Sequence, residues 1–321
     1  MAKVSINTVK GYGVSAAEGY GNLGAYTPAL YAMETLEKFY LATVFSTIAN
    51  TKYEGMITKQ GDKVIIRTRP DVVIKDYVKG ETLDYETPEP AEVELIIDQA
   101  KYYALNIDEI DKIQNDIDAM TQWSIDAGFQ LAITVDRSIL NGMYASASEY
   151  NCGDAAGAIS GAFDFGKPTA PVQVTKDNIL DFIVDMETVL NEQNIPLTDR
   201  WVILPAYFYG LIEKSDLRSA LFTGAGADNP ALRNGKSGRI ANFDIYTSNN
   251  IMGVEDTLGE ADVTSYPIMF GHKSALTFAS QLVKNETLAN PNSFGTLMRG
   301  LQVYGYEVVL PKSLGYVWAT K

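Results

Sequence analysis

The chain contains a single cysteine, Cys152, and a single histidine, His272. One cysteine excludes a disulfide framework within the chain and suits a reducing compartment. One histidine excludes a multi-histidine zinc site and leaves a histidine-based triad little room. Positive charge is also short, with 26 Lys and Arg against 40 Asp and Glu and a formal net charge of −14. Affinity for nucleic acid comes from Lys and Arg displacing counterions at phosphates, so so acidic a chain binds nucleic acid poorly. It can still enclose one, because an acidic wall repels phosphates and leaves a packed genome free to move. Long apolar runs are missing too. No stretch approaches the ~18 residues of a membrane span, and Met1 to Tyr20 lacks the basic and apolar regions of a signal peptide. The expectation is a soluble chain of the cytoplasm, with no membrane partner.

What is present is the composition of a folded protein, 46% apolar and 21% charged over 321 residues. That length suffices for two ordinary domains. Tyrosine is frequent at 19 residues. Its ring is apolar and its hydroxyl must stay satisfied, which suits strands and half-wet interfaces.

Residues 1–26 carry Gly11, Gly13, Gly19, Gly21 and Gly24 and too little apolar bulk for a core. They read either as a disordered tail or as an arm that orders against a neighbouring molecule. Thr27 as N-cap and Pro28 at the first helical position then start a helix. Its buried stripe is Leu30, Met33, Leu36, Tyr40 and Val44, and Asn50 ends it. From 51 to 107 the period changes to two. Lys63 to Arg69 places its cations on one face, and Glu92 to Asp98 places Val93, Leu95 and Ile97 on the other kind.

Between these runs, residues 69–91 are crowded with charge and thin in apolar residues, and are too long for a hairpin turn of ~2–5 residues. They are expected to form a two-stranded tongue. Isolated two-stranded ribbons are marginal in water, so the tongue must lie on something, most economically another subunit.

A long helix is expected over 109–145, with Ile110, Ile113, Ile117, Met120, Ala127 and Leu131 in three–four spacing and no proline to interrupt it. It would extend about 50 Å. The Ala/Gly/Ser-rich stretch 145–172 connects to a second lobe. That lobe is expected to hold helices at 176–193, 207–222 and 273–284. Strands are expected at 201–204, 239–247, 265–270, 301–310 and 314–319, and a Gly/Asn/Asp-rich loop at 223–238.

Residues that could carry chemistry each have a plainer explanation. Pro230 to Ser237 ends like a phosphate-binding loop, but Pro230 stands where glycine is required and the flanks are loop and strand. Asp108, Glu109, Asp111, Asp116 and Asp118 lack the glycine and glutamate of a calcium loop; acids at a helix start fit the helix dipole. Cys152 lies in a small-residue connector far in sequence from His272, as a bystander would. No catalytic residue, cofactor site or metal site is expected, and a monomeric enzyme lidded by 69–91 is the reading from another class.

The order of elements resembles the Hong Kong 97-type major capsid proteins of tailed bacteriophages. Gln60-Gly61-Asp62-Lys63-Val64-Ile65-Ile66 through Val73-Ile74-Lys75-Asp76-Tyr77 looks like the opening strand of that family's extended loop. Leu95 to Leu105 looks like its return. Asp108-Glu109-Ile110-Asp111 leads into the spine helix, Gly238 to Asn250 resembles a turn and strand of the axial lobe, and Gly271 to Ala275 with Arg299 to Val308 completes the pattern.

The resemblance implies an α+β subunit. Its parts would be an arm (1–27), a first helix (28–57), an extended β-hairpin loop (58–100), a peripheral domain (101–172), an axial domain (173–300) and C-terminal strands (301–321). Such subunits form hexamers and pentamers that close into an icosahedral shell around double-stranded DNA in the host bacterial cytoplasm. Inter-subunit contacts would fall on Arg67, Arg69, Lys75, Asp76, Tyr77, Glu81, Asp84 and Tyr85. Gly224, Gly226, Asp228 and Asn229 would line the capsomer centre. About 27 residues precede the first helix, so a separate scaffolding protein is expected, with a portal and a decoration protein as further partners. No residue matches the covalent cross-linking of the type member. An encapsulin-like nanocompartment shell is the alternative within the same fold.

Overall fold

The computed structural model describes residues 43–52, 63–68, 70, 72–77, 79–80, 82, 85–87, 92–109, 119–215, 239–256 and 263–321, all within the compact unit Lys38–Lys321. Four helices are described: α1 (Phe45–Ile48), α2 (Ala119–Leu140), α3 (Ile179–Glu192) and α4 (Ala206–Lys214). The strands are β1 (Lys63–Arg67), β2 (Glu92–Ile96), β3 (Gln99–Asp108), β4 (Val172–Gln173), β5 (Arg200–Leu204) and β6 (Arg239–Ile240). They continue with β7 (Phe243–Thr247), β8 (Val254–Asp256), β9 (Val263–His272), β10 (Leu276–Ala289), β11 (Gly295–Val308) and β12 (Leu314–Thr320).

The strands form three sheets: a ribbon β1-β2, a three-stranded sheet β10-β11-β3, and a seven-stranded sheet β4-β12-β9-β5-β7-β6 with β8 on β9. The last sheet separates two cores. Every residue of β5 is buried, because Val202 and Leu204 point into one core while Trp201 and Ile203 point into the other. A strand covered on both faces reads as a continuous apolar run rather than an alternating one.

The first core packs α3 (Ile179, Ile183, Met186, Val189) and α4 (Phe208, Leu211, Ile212) on the sheet. The second packs α1 and α2 (Val135, Ile139, Leu140) together with the base of β10 and β11. Buried Arg200 closes the end of α3. Its Nε donates to Pro196 O at 2.8 Å, and one Nη to Asn191 Oδ1 at 2.8 Å and Ile195 O at 2.5 Å, tying the turn after α3 to the helix's last turn.

Several expectations need correction. The helix expected at 273–284 is the strand β10. Leu276 to Ala279 are all buried, so the alternation that marks a half-wet strand is absent, and short apolar runs of this kind do not discriminate helix from strand. The described part of the long helix ends at Leu140, followed by the turn at Asn141 and Gly142 and a 3-10 turn at Met143–Ser146; residues 110–118 lie outside the described ones. The 22 described residues of α2 extend about 33 Å. The first helix does not run unbroken to Asn50, since residues 43–44 are non-helical ahead of α1. The domain limit expected at residue 300 falls inside β11, and β10 and β11 pair with β3 instead of the seven-stranded sheet.

Candidate assembly surfaces

The ribbon β1-β2 runs antiparallel with Val64 opposite Leu95 and Ile66 opposite Val93. This apolar face packs on the three-stranded sheet: Ile66, Leu95 and Ile97 meet Ala279, with Val64, Val303 and Val309 around them. The other face carries exposed ion pairs, Lys63–Glu94 at 2.8 Å and Arg67–Glu92 at 3.3 Å. Pairs this exposed contribute little stability, and their cations and carboxylates are accessible to a neighbour.

The described ladder runs from Lys63 opposite Ile96 to Arg67 opposite Glu92. Among the described residues of 69–91 none is in a strand, so the expected two-stranded pairing is not seen at those residues. Val73 N donates across this segment to Glu86 Oε1 at 3.0 Å. The apolar side chains described there stand in water: Val72, Val73 and Tyr77 are exposed, Ile74 is 89% exposed and Tyr85 86%. Of the expected contact residues, Arg67, Lys75, Asp76, Tyr77 and Tyr85 are exposed in this region; Arg69, Glu81 and Asp84 lie outside the described residues. So do Gly224, Gly226, Asp228 and Asn229, and the Pro230–Ser237 stretch.

The three-stranded sheet was not foreseen as a surface. One face bears a charged triad, where Glu286 meets Arg299 at 2.6 Å and also pairs with Lys284. Hydrogen bonds from Lys284 and then Arg299 hold the Glu286 carboxyl below the ordinary carboxylate range. Tyr102, on the same face, is 77% exposed. The opposite face is tied by Tyr103, whose hydroxyl donates to Asn285 Oδ1 at 3.2 Å across Gly300. The sheet ends in the turn at 290–294, where Phe294 is exposed. The cluster Asn290-Pro291-Asn292-Ser293 is a turn signal between two apolar runs and could have located this hairpin.

The start of α1 is fixed from a distant helix. Val44 offers no side-chain cap, and buried Asp136 of α2 supplies the acceptor instead. Its Oδ1 accepts Val44 N at 3.0 Å and Phe45 N at 2.9 Å, and its Oδ2 accepts Asn250 Nδ2 at 2.6 Å. One carboxylate thereby joins α1, α2 and the loop after β7.

Cys152 is half-buried, and burial pushes its thiol up despite a hydrogen bond with Tyr316. Tyr316 itself is pushed up to about 12 by burial and by its Cys152 neighbour. This is a thiol held in its unreactive form. His272 sits beside Ser274, with Ser274 N donating to Nδ1 at 3.1 Å. Among the described residues no group of three His, Cys, Asp or Glu could hold a metal ion, and no helix is long and apolar enough to cross a membrane.

The described residues thus combine a mixed α/β body, exposed apolar side chains between β1 and β2, and a three-stranded sheet with an exposed charged face. The model of the family described as phage capsid protein matches residues 92–314. A solved structure from Mycobacterium phage Che8 is 26% identical, with 91% of this chain and 96% of that chain covered and a TM-score of 0.71. The capsid of cyanophage P-SCSP1u matches at 18% identity, 94% and 95% coverage and a TM-score of 0.71. The mature capsid of bacteriophage PhiM1 matches at 18% identity, 91% and 92% coverage and a TM-score of 0.65. No curated protein sequence matches the chain. The chain belongs to the phage capsid protein family and has a phage capsid fold of mixed helices and sheets. It is a major capsid protein of the tailed-phage kind, a structural component of the virion and not an enzyme.

Proposed function

We propose that this subunit forms hexamers and pentamers that close into an icosahedral shell around double-stranded DNA, with the Hong Kong 97-type division of labour. In this reading, residues 58–100 extend across a neighbouring copy, and the loop near 223–238 lines the capsomer centre. The peripheral part comprises β3, α2, β10 and β11; the axial part comprises the seven-stranded sheet with α3 and α4. Assembly takes place in the host cytoplasm with a separate scaffolding protein, and the finished shell carries a portal and accepts a decoration protein.

The observation that carries this reading is the tongue. Its root is packed into the subunit through Ile66, Leu95 and Ile97, while Val72, Val73, Ile74, Tyr77 and Tyr85 are all exposed. Burying a side chain of this size contributes about 1.5–3 kcal/mol, which a neighbouring copy supplies once for every subunit in a shell. The acidic net charge of −14 is compatible with enclosing DNA without gripping it.

Deletion of 70–90 tests the reading, followed by negative-stain electron microscopy of the chain co-expressed with its neighbouring genes. The wild-type chain is expected to give uniform closed shells. The deletion is expected to leave a folded subunit that gives none. Shells at wild-type yield after the deletion would refute the tongue's role.

A further inference from the structure

The three-stranded sheet carries a knob and a groove that one copy cannot bring together. The knob is Phe294, 84% exposed at the turn between β10 and β11. The turn is well tied: Asn290 N donates to Gly295 O at 2.9 Å, Asn290 Nδ2 to Ser293 Oγ at 2.8 Å, and Asn292 N to Asn290 Oδ1 at 2.9 Å. Glu109 N donates to Phe294 O at 3.2 Å, which sets an exposed acidic residue beside the aromatic one. An apolar ring held out into water on a rigid turn is the form of an interface anchor, because little entropy remains to be lost when it is buried.

The groove lies further along the same sheet. It has a volume of about 400 Å3, and its lining includes Tyr102, Ala104 and Leu301 with Lys284, Glu286 and Arg299. The register puts these six on one face, with Leu301 opposite both Tyr102 and Lys284, and Arg299 opposite both Ala104 and Glu286. Two cations against one carboxylate leave this face positive, whereas Glu109 makes the knob negative. From Phe294 to Arg299 is about 17 Å along β11 at ~3.4 Å per residue, so the ring cannot fill the groove of its own chain.

We propose that Phe294 of one copy seats in the groove of a second copy, with Glu109 of the first facing Lys284 and Arg299 of the second. The contact joins different patches on the two copies and is therefore heterologous; such contacts propagate until rotation closes them into a ring. It rests on the shell-subunit reading and adds to it a defined pair of surfaces. The charges set register and approach, and the ring contributes the burial.

The test is cysteine cross-linking in assembled particles, in a Cys152→Ala background. Phe294→Cys with Tyr102→Cys is expected to give chains linked into multimers larger than dimers on mild oxidation, and neither single variant is. Particles that assemble without linkage overturn the docking and leave the shell reading intact. Linkage by Phe294→Cys alone overturns it in favour of a symmetric contact. A cysteine at 102 that is protected from maleimide in isolated subunits overturns it by assigning the groove to the chain's own N-terminal segment. Should the double variant not assemble, Phe294→Ala decides: shell yield is expected to fall about tenfold with the subunit still folded, as for loss of one aromatic anchor, and unchanged yield overturns the proposal. Absence of shells from the wild-type chain with its neighbouring genes is a separate result, which overturns the shell-subunit reading as well.

Discussion

The carbonyl oxygen of Ile96 lies against the position that a Cβ on residue 305 would take, and Ile96 C and Ile97 Cα lie 2.9 Å from it. Gly305 therefore lets β11 pass directly beneath the root of the tongue. The obstructing atoms are backbone, so they cannot swing aside as a flexible side chain would. Gly305→Ala is expected to cost about 1–3 kcal/mol through overpacking and to lift the root of β2 from the sheet. Thermal unfolding measures the first effect. Faster tryptic cleavage around Arg67 and Lys75 in the folded subunit measures the second. Gly128 of α2 is the control, because nothing lies within 4 Å of a Cβ there. Gly128→Ala is expected to be neutral or to stabilise by about 0.5–1 kcal/mol.

Asp136 gives a second prediction. Asp136→Ala leaves the N–H groups of Val44 and Phe45 and the amide of Asn250 without the acceptor they share. Unpaired buried donors are costly, and a loss of about 2–4 kcal/mol is expected. Asp136→Asn retains an oxygen for the two backbone donors, without the charge that strengthens those bonds, and sets an NH2 where Asn250 Nδ2 had its acceptor, so it should cost roughly half as much. Urea unfolding of the three proteins orders them. Equal losses from both variants would show that the charge, not the acceptor geometry, holds α1 in place.

The elements legible in the sequence are those with one wet face or one strong period. The strand pair at 63–67 and 92–96 alternates as expected, with Ile66 and Leu95 inward, and α3 shows its apolar stripe plainly. The misread element, β10, is buried on both faces at its base, which removes the period. Exposed charge marked Arg67, Lys75 and Asp76 as surface residues, but it could not mark Phe294 or Tyr102. An apolar residue in water has no signature in a single sequence, since the same Phe is ordinarily core. The Asp136 tie was equally invisible, because its partners lie 91 to 114 residues away.

Cys152 should be slow to alkylate in the folded chain. Only the thiolate reacts, and burial raises the pKa that governs its fraction. Iodoacetamide at pH 7.5 is expected to label folded subunits many times more slowly than the same chain in guanidinium, with the difference shrinking as pH rises. Equal rates would mean that the thiol is neither buried nor bonded to Tyr316.

His272 predicts a pH dependence of stability. Burial lowers its pKa below the ordinary 6.5; Asp199 opposes the shift and Arg200 adds to it. The folded chain therefore holds the imidazole neutral, with Nδ1 accepting from Ser274 N. In the unfolded chain the ring takes up a proton as pH falls through about 6.5. The unfolded state then binds more protons than the folded one, and stability decreases as pH falls. The contribution is complete above pH 6.5 and is lost on the way down through the lower folded pKa. Urea midpoints of isolated subunits are expected to fall between pH 7 and pH 5, and His272→Gln to flatten that part of the curve. Carboxylates that titrate at lower pH are common to both proteins, so the difference between the two curves isolates the histidine. An identical slope in the variant would show that His272 is as free to protonate in the folded subunit as in the unfolded chain.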